Sequence, residues 1–224
     1  KAAVAGLTRD LDFLRLAGRI ERPHEALCVD IGVGAGWSSY MLSKLFREVR
    51  GYEINDNWPE TWRAFEAVRG NLRLSLFDGF NLPHEASSVE CCMAQAVLEH
   101  VGGNHCRDDA IRVRWLKEIH RVLKPGGVLV VTTCPNKWSY AEILWRTHWI
   151  RFARRNLLRI FSDAGFVVEK TCYTHMFPDF WPPAQRAWNK AYLHGLGALD
   201  RLLLLLPTKF VAHHHTIVAR KPAG

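Results

Sequence analysis

Residues 26–37, ALCVDIGVGAGW, constrain this chain more than any other stretch. The apolar run Leu27-Cys28-Val29 suits a buried strand. Asp30 follows it, and glycines then stand at alternate positions, Gly32, Gly34 and Gly36. Beyond Trp37 the sequence reads as a helix over 38–47, with Tyr40, Met41 and Leu45 apolar and Ser38 or Ser39 as its cap. The glycines therefore occupy a strand-to-helix turn. Glycine suits such a turn where backbone must approach a ligand closely or adopt positive φ. The helix start presents free N–H groups and the positive end of the dipole to whatever lies there. A dinucleotide fingerprint, G-x-G-x-x-G, needs glycine at 37 or 39, where Trp37 and Ser39 stand. A tight turn with no ligand is the plain alternative.

The chain continues as alternating strands and helices. Residues 48–54 read as a strand ending in Glu53, 23 residues after Asp30. A carboxylate there, beside the glycine turn, can accept both hydroxyls of a ribose, although a capping or solvated glutamate has the same sequence. Residues 58–69 form a helix with Trp58, Trp62, Phe65 and Val68 close to one face and Pro59 in its first turn. Residues 71–77 alternate as a strand, and Asp78-Gly79 follows, a pair that also serves as an ordinary turn. Residues 89–94 are a fourth strand running into Gln95-Ala96-Val97-Leu98-Glu99-His100-Val101. An amphipathic helix over 108–123 is stopped by Lys124-Pro125-Gly126-Gly127, and 128–134 read as a strand buried on both faces. This alternation predicts a parallel, doubly wound α/β sheet with helices on both faces. Ligands of such sheets bind outside the carboxyl ends of the strands. Asp30, the three glycines, Glu53, Asp78 and Gln95 all fall at those ends, so four strands point to one crevice.

The run Asp30-Ile31-Gly32-Val33-Gly34-Ala35-Gly36 resembles the first motif of the class I S-adenosylmethionine-dependent methyltransferases. The stretches AVLEHV and LKEIHRVLKPGGVLVVTT resemble later segments of the type 11, ubiquinone/menaquinone-type branch of that family. The resemblance covers residues 25–173 and the last strand. It implies a seven-stranded, mostly parallel Rossmann-like sheet whose final strand is antiparallel, and S-adenosyl-L-methionine as cofactor. It further implies Asp30, Gly32, Gly34 and Gly36 at the cofactor turn, Glu53 with Ile54 at the ribose, Asp78 with Gly79 at the adenine, and Gln95 and Ala96 at the methionine end. The implied reaction is in-line methyl transfer to an oxygen, nitrogen or carbon of a small-molecule or lipid-like acceptor. His100 is the candidate base, since an imidazole with a pKa near ~6.5 can take a proton at neutral pH. His148 and His175 are further candidates. RNA methylation and cofactor binding without catalysis are the alternative readings.

The chain of 224 residues, 48% hydrophobic, suits one domain: a cap helix within 1–24, a cofactor-binding core over 25–173, a helical insertion over 174–209 and a last strand over 210–220. The sequence opens on Lys1, which leaves a preceding segment open. Six cysteines without a C-x-x-C pair read as reduced core residues of a cytosolic protein, with no metal site expected. No apolar run reaches the about 20 residues of a membrane span. Net charge is +8, and residues 112–159 hold 11 Lys or Arg against two acids, Glu118 and Glu142. Such a segment suits an anionic partner or simply a solvated face. The insertion carries five consecutive leucines, 202–206. It reads as an apolar lid over a hydrophobic acceptor with peripheral contact to an anionic membrane, or as a homodimer interface through 182–207.

Overall fold

The computed structural model describes residues 20–145, 148–174 and 210–224, together with Leu199, Leu202, Leu203, Leu205 and Leu206. The expected cap helix and most of the insertion, including His175, lie outside the described residues. Seven strands form one sheet: β1 (Leu27–Ile31), β2 (Glu48–Glu53), β3 (Leu72–Leu76), β4 (Val89–Gln95), β5 (Leu123–Pro135), β6 (Val167–Thr174) and β7 (His214–Arg220). Their order is β3-β2-β1-β4-β5-β7-β6. The first five are mutually parallel, and β7 runs antiparallel between β5 and β6. The helices are α1 (Trp37–Leu42), α2 (Pro59–Val68), α3 (Asp109–Val122), α4 (Tyr140–Trp145) and α5 (Arg154–Asp163).

Side-chain alternation along the central strands separates two cores. Val29, Ile31, Cys92, Ala94, Leu129 and Val131 face one way and pack with Trp115, Leu116 and Ile119 of α3 and Leu157, Ile160 and Phe161 of α5. Cys28, Cys91, Met93, Val128 and Val130 face the other way and pack with Leu42 and Phe46. This is the doubly wound arrangement expected of β-strands that are apolar on every position. Each fully buried aliphatic or aromatic side chain contributes about 1.5–3 kcal/mol of transfer free energy. The sequence of strands reverses between β1 and β4, the switch point outside whose carboxyl ends sheets of this kind bind ligands.

Three expected elements differ: the last strand begins at His214 and not at residue 210, after a helical turn and bend over 210–213. The first helix ends at Leu42 rather than at residue 47, because side chains from the next unit take its terminal carbonyls. Arg69 and Asn71 both donate to the Ser43 carbonyl, and Asn71 Nδ2 also reaches the Phe46 carbonyl at 3.0 Å. The stop at Lys124–Gly127 lies inside β5 instead of before it. Leu123 already pairs with Val89, and Val128 pairs with Cys91, so four residues bulge out of the ladder between them. Gly126 there has φ +78°. All six cysteines are free thiols, four of them fully buried. Burial pushes the thiols of Cys28, Cys92 and Cys134 upward in pKa, which makes them inert.

Candidate active site

The glycine turn leaves β1 and is tied down on three sides. Gly32 and Val33 donate to the Tyr52 carbonyl of β2 at 2.8 and 3.2 Å. Gly34 donates to Glu53 Oε2 at 2.8 Å, and Ile54 donates to Glu53 Oε1 at 2.8 Å. The Trp62 indole of α2 donates to the Gly34 carbonyl at 2.9 Å. The three glycines have φ of +74°, +51° and +86°, in the left-handed region that favours glycine. A methyl group on Gly32 would lie 2.3 Å from Val97 Cγ2, whereas at Gly34 nothing lies within 4 Å. Open space over Gly34, with a carboxylate at its edge, is a cradle into which a ligand's polar face can descend.

Asp30 lies beneath this turn, 1% exposed. Its Oδ2 accepts from Ser38 Oγ at 2.9 Å and from Ser39 Oγ at 2.6 Å. The two serines therefore anchor the first turn of α1 to β1 and do not cap the helix, whose N-cap is Gly36 without a side-chain bond. Asp78 sits in the exposed loop after β3. Its Oδ1 accepts from the backbone of Phe80 and Asn81 at 2.8 and 2.6 Å, and its Oδ2 accepts from the Asn81 amide. The bonds from Asn81 and then from Phe80 hold its carboxyl below the usual range. Gly79 has φ +89° and lies beside Ile54, whose side chain is exposed. The structure thus brings Glu53, Ile54, Gly79 and Gly34 to one side of the crevice.

On the other side, Gln95 ends β4 opposite Thr132 of β5. Ala96 follows in the left-handed region at φ +54° and donates to the Thr132 carbonyl at 3.1 Å. A non-glycine residue there costs of order 1–3 kcal/mol and collects at functional sites. The loop beyond it carries His100, exposed, with Nδ1 2.7 Å from Asn104 Oδ1. Arg112, 1% exposed, clamps this loop from α3 by donating to the carbonyls of Leu98, Cys106 and Asp108 at 3.2, 2.6 and 3.3 Å.

The far wall is built around Asn136, which is fully buried after β5. Its Nδ2 donates to the carbonyls of Phe210 and Ala212 at 2.7 and 2.8 Å, its Oδ1 accepts from Trp138 N at 3.1 Å, and its N–H donates to the His213 carbonyl at 2.9 Å. His213, His214 and His215 are all buried there. His148 joins them, its ring centroid 5.9 Å from that of His213 and 6.2 Å from that of His214. Among the described residues no group of His, Cys, Asp and Glu is arranged to hold a metal ion.

Sequence reasoning missed Trp62, Val97 and Arg112. Trp62 and Val97 look like ordinary core residues in the sequence. Arg112 left a trace: it falls on the apolar stripe of α3 with Trp115, Leu116 and Ile119, where an arginine needs buried acceptors.

A family model described as "Methyltransferase domain" matches residues 29–131. That span runs from the end of β1 through the glycine turn, Glu53, Asp78 and Gln95 into β5. A protein-L-isoaspartate O-methyltransferase from Nitrobacter winogradskyi is 27% identical over 144 residues, covering 63% of this chain and 60% of that protein. The chain spans about half to three fifths of the length of the curated relatives it matches. Among solved structures, the [4+2]-cyclase SpnF superposes with TM-score 0.70 at 20% identity, covering 96% of this chain and 81% of that one. A Haemonchus contortus phosphoethanolamine N-methyltransferase 2 in complex with S-adenosyl-L-methionine superposes with TM-score 0.63 at 17% identity, covering 96% and 52%. These two likenesses speak for the fold alone. The matched domain covers less than half of the chain, and over that span, which holds the glycine turn, the chain is similar to S-adenosylmethionine-dependent methyltransferases.

Proposed function

We propose that the chain transfers the methyl group of S-adenosyl-L-methionine to a small-molecule or lipid-like acceptor that enters at the carboxyl ends of β4 and β5 and the amino end of β7. The observation that carries this reading is the Glu53 carboxylate, fixed by Gly34 and Ile54 N–H groups at the edge of an open glycine cradle. Each carboxylate oxygen keeps a lone pair after accepting one backbone bond, so Glu53 can take ribose hydroxyls without releasing the turn. Asp30 acts as a positioning residue, holding α1 and the glycine turn on β1 through two hydroxyls. Asp78 shapes the rim beside Gly79 and Ile54, against which an adenine packs, and Gln95 with Ala96 bounds the methionine end.

The bound cofactor supplies an activated methyl group on a sulfonium, and the protein's work is alignment, which can supply up to ~7–11 kcal/mol of the barrier. Where the acceptor is a hydroxyl or an ammonium, a base adds roughly 10²–10⁴-fold. His100 is held by Asn104 on the loop beside Ala96, and His148 is the second candidate at the far wall.

The test is transfer of a labelled methyl group from S-adenosyl-L-methionine into a cell extract, followed by partition between organic and aqueous phases. Label in the organic phase is expected. Label only on protein would move the acceptor to the class named for the isoaspartate relative. Absence of any transfer, with intact cofactor binding, would reduce the chain to a cofactor-binding protein. In calorimetry Glu53→Ala should weaken cofactor binding at least about tenfold, the worth of a charge-assisted bond or more. Unchanged affinity would remove Glu53 from the site.

A further inference from the structure

Beyond the crevice, the acceptor edge carries an apolar rim that the fold leaves outside its cores. Trp138 is 55% exposed, Trp149 67%, Ile143 59%, Leu144 66% and Phe210 53%. They come from three separate segments, and the buried Asn136 gathers them. Trp138 N and the Phe210 carbonyl are both bonded to the Asn136 side chain. Ser139 N donates to the Asn136 carbonyl at 3.1 Å, and Ile143 N donates to the Ser139 carbonyl at 3.0 Å, so α4 springs from the same point. Phe152, three residues after Trp149, bridges to Asn136 in a parallel pairing. The backbone of the rim is therefore tied to one buried side chain. Exposed apolar patches mark contact sites for partners or membranes.

Cations outnumber acids at this edge, where Glu142 of α4 is the acid among the rim segments. Lys137 is exposed, its Nζ 5.6 Å above the Trp138 ring. Arg154 and Arg155 are exposed in the first turn of α5, which has no acidic residue there and no side-chain cap. Cations in a first helical turn oppose the helix dipole and are locally unfavourable. Tryptophan, leucine and phenylalanine beside lysine and arginine are the composition of elements that lie in a bilayer interface.

We propose that the rim of Trp138, Ile143, Leu144, Trp149 and Phe210, with Lys137, Arg154 and Arg155, docks the enzyme on an anionic membrane surface. The inference rests on the methyl-transfer reading only for its purpose: the crevice then opens toward a membrane-borne acceptor. The apolar side chains enter the headgroup boundary and the cations pair with lipid phosphates and carboxylates.

The experiment is sedimentation of the full chain with vesicles of phosphatidylserine and phosphatidylcholine, and with vesicles of phosphatidylcholine alone. Binding to the mixed vesicles should exceed binding to the neutral ones at least about tenfold and weaken in high salt, as a few basic residues near the surface require. Trp138→Ser with Trp149→Ser, and separately Lys137→Glu with Arg155→Glu, should each lower the partition about tenfold. Calorimetric titration with S-adenosyl-L-methionine should be unchanged in both variants, which shows that they fold. Equal partition to both vesicles, or no effect of the variants, overturns the proposal. So does a doubled mass in light scattering that the tryptophan variant abolishes, since the rim would then join two copies. Displacement from vesicles by tRNA with a matching loss in the variants would assign it to nucleic acid instead. Failure of wild-type cofactor binding would sink the methyl-transfer reading and leave the vesicle result standing.

Discussion

Gly32 and Gly34 stand two residues apart in one turn, yet a methyl group meets different surroundings at each. At Gly32 it would meet Val97 at 2.3 Å, and φ of +74° adds strain. At Gly34 there is open space, and only the left-handed φ of +51° is unfavourable, at about 1–2 kcal/mol. Gly32→Ala should therefore destabilise the fold in urea titration by clearly more, about 2–4 kcal/mol when overpacking is added to backbone strain. Gly34→Ala should leave the protein folded while weakening cofactor binding, because its methyl group fills the cradle itself. Equal stability losses in the two variants would show that the surroundings of Gly32 relax. The need for glycine was legible in the D-x-G-x-G spacing, but the two separate reasons were not, because Val97 lies 65 residues away in the chain. Asp30 and Asp78 teach the same lesson. Their positions at strand ends were readable, whereas the bonds from Ser38, Ser39 and Asn81 depend on how each turn folds back.

At the scale of elements, apolar runs located β1, β4 and most of β5, and alternation located β3. Such patterns failed where a neighbour overrules local preference. The Lys-Pro-Gly-Gly run looked like a stop between helix and strand, and the partner strand β4 captures Leu123 before it. The rim loops were still less legible, because their order rests on Asn136 and not on any repeating pattern. Asn136→Ala would leave the carbonyls of Phe210 and Ala212 without their buried donor, at about 1–3 kcal/mol each. The expected loss in a denaturant titration is about 2–4 kcal/mol, accompanied by weaker protection of residues 210–213 in amide exchange. A variant as stable as the wild type would mean that the three segments hold together without Asn136.

For the whole molecule, acid stability should turn on the last strand. His215 is buried, with Nε2 3.2 Å from the Phe152 carbonyl. Burial lowers its pKa from 6.5 to about 4; the Phe152 bond opposes the shift and the Arg154 charge adds to it. The unfolded chain therefore binds this proton between pH 6.5 and pH 4, and the folded chain does not. Stability is complete above pH 6.5 and falls as pH drops toward 4, by on the order of 3 kcal/mol for this one group. Melting temperature followed across that window should fall in the wild type and fall less in His215→Gln; parallel curves would assign the acid loss to other groups. The sequence showed three consecutive histidines before an apolar run. That all three are buried follows from the placement of β7 between β5 and β6, a long-range pairing with no local signature.

That placement also sets a timetable for assembly. The ribosome releases β1 to β5 in an order that lets each parallel unit pair with a strand already made. β6 emerges with no neighbour already made among the described residues, and its partner there, β7, follows only after the intervening insertion. Until then β5 presents an open ladder of N–H and C=O groups, a ready template for another chain. A nascent or truncated polypeptide lacking 214–220 should thus be the form that needs a chaperone, and the final seven-residue strand is the clasp that ends this exposure.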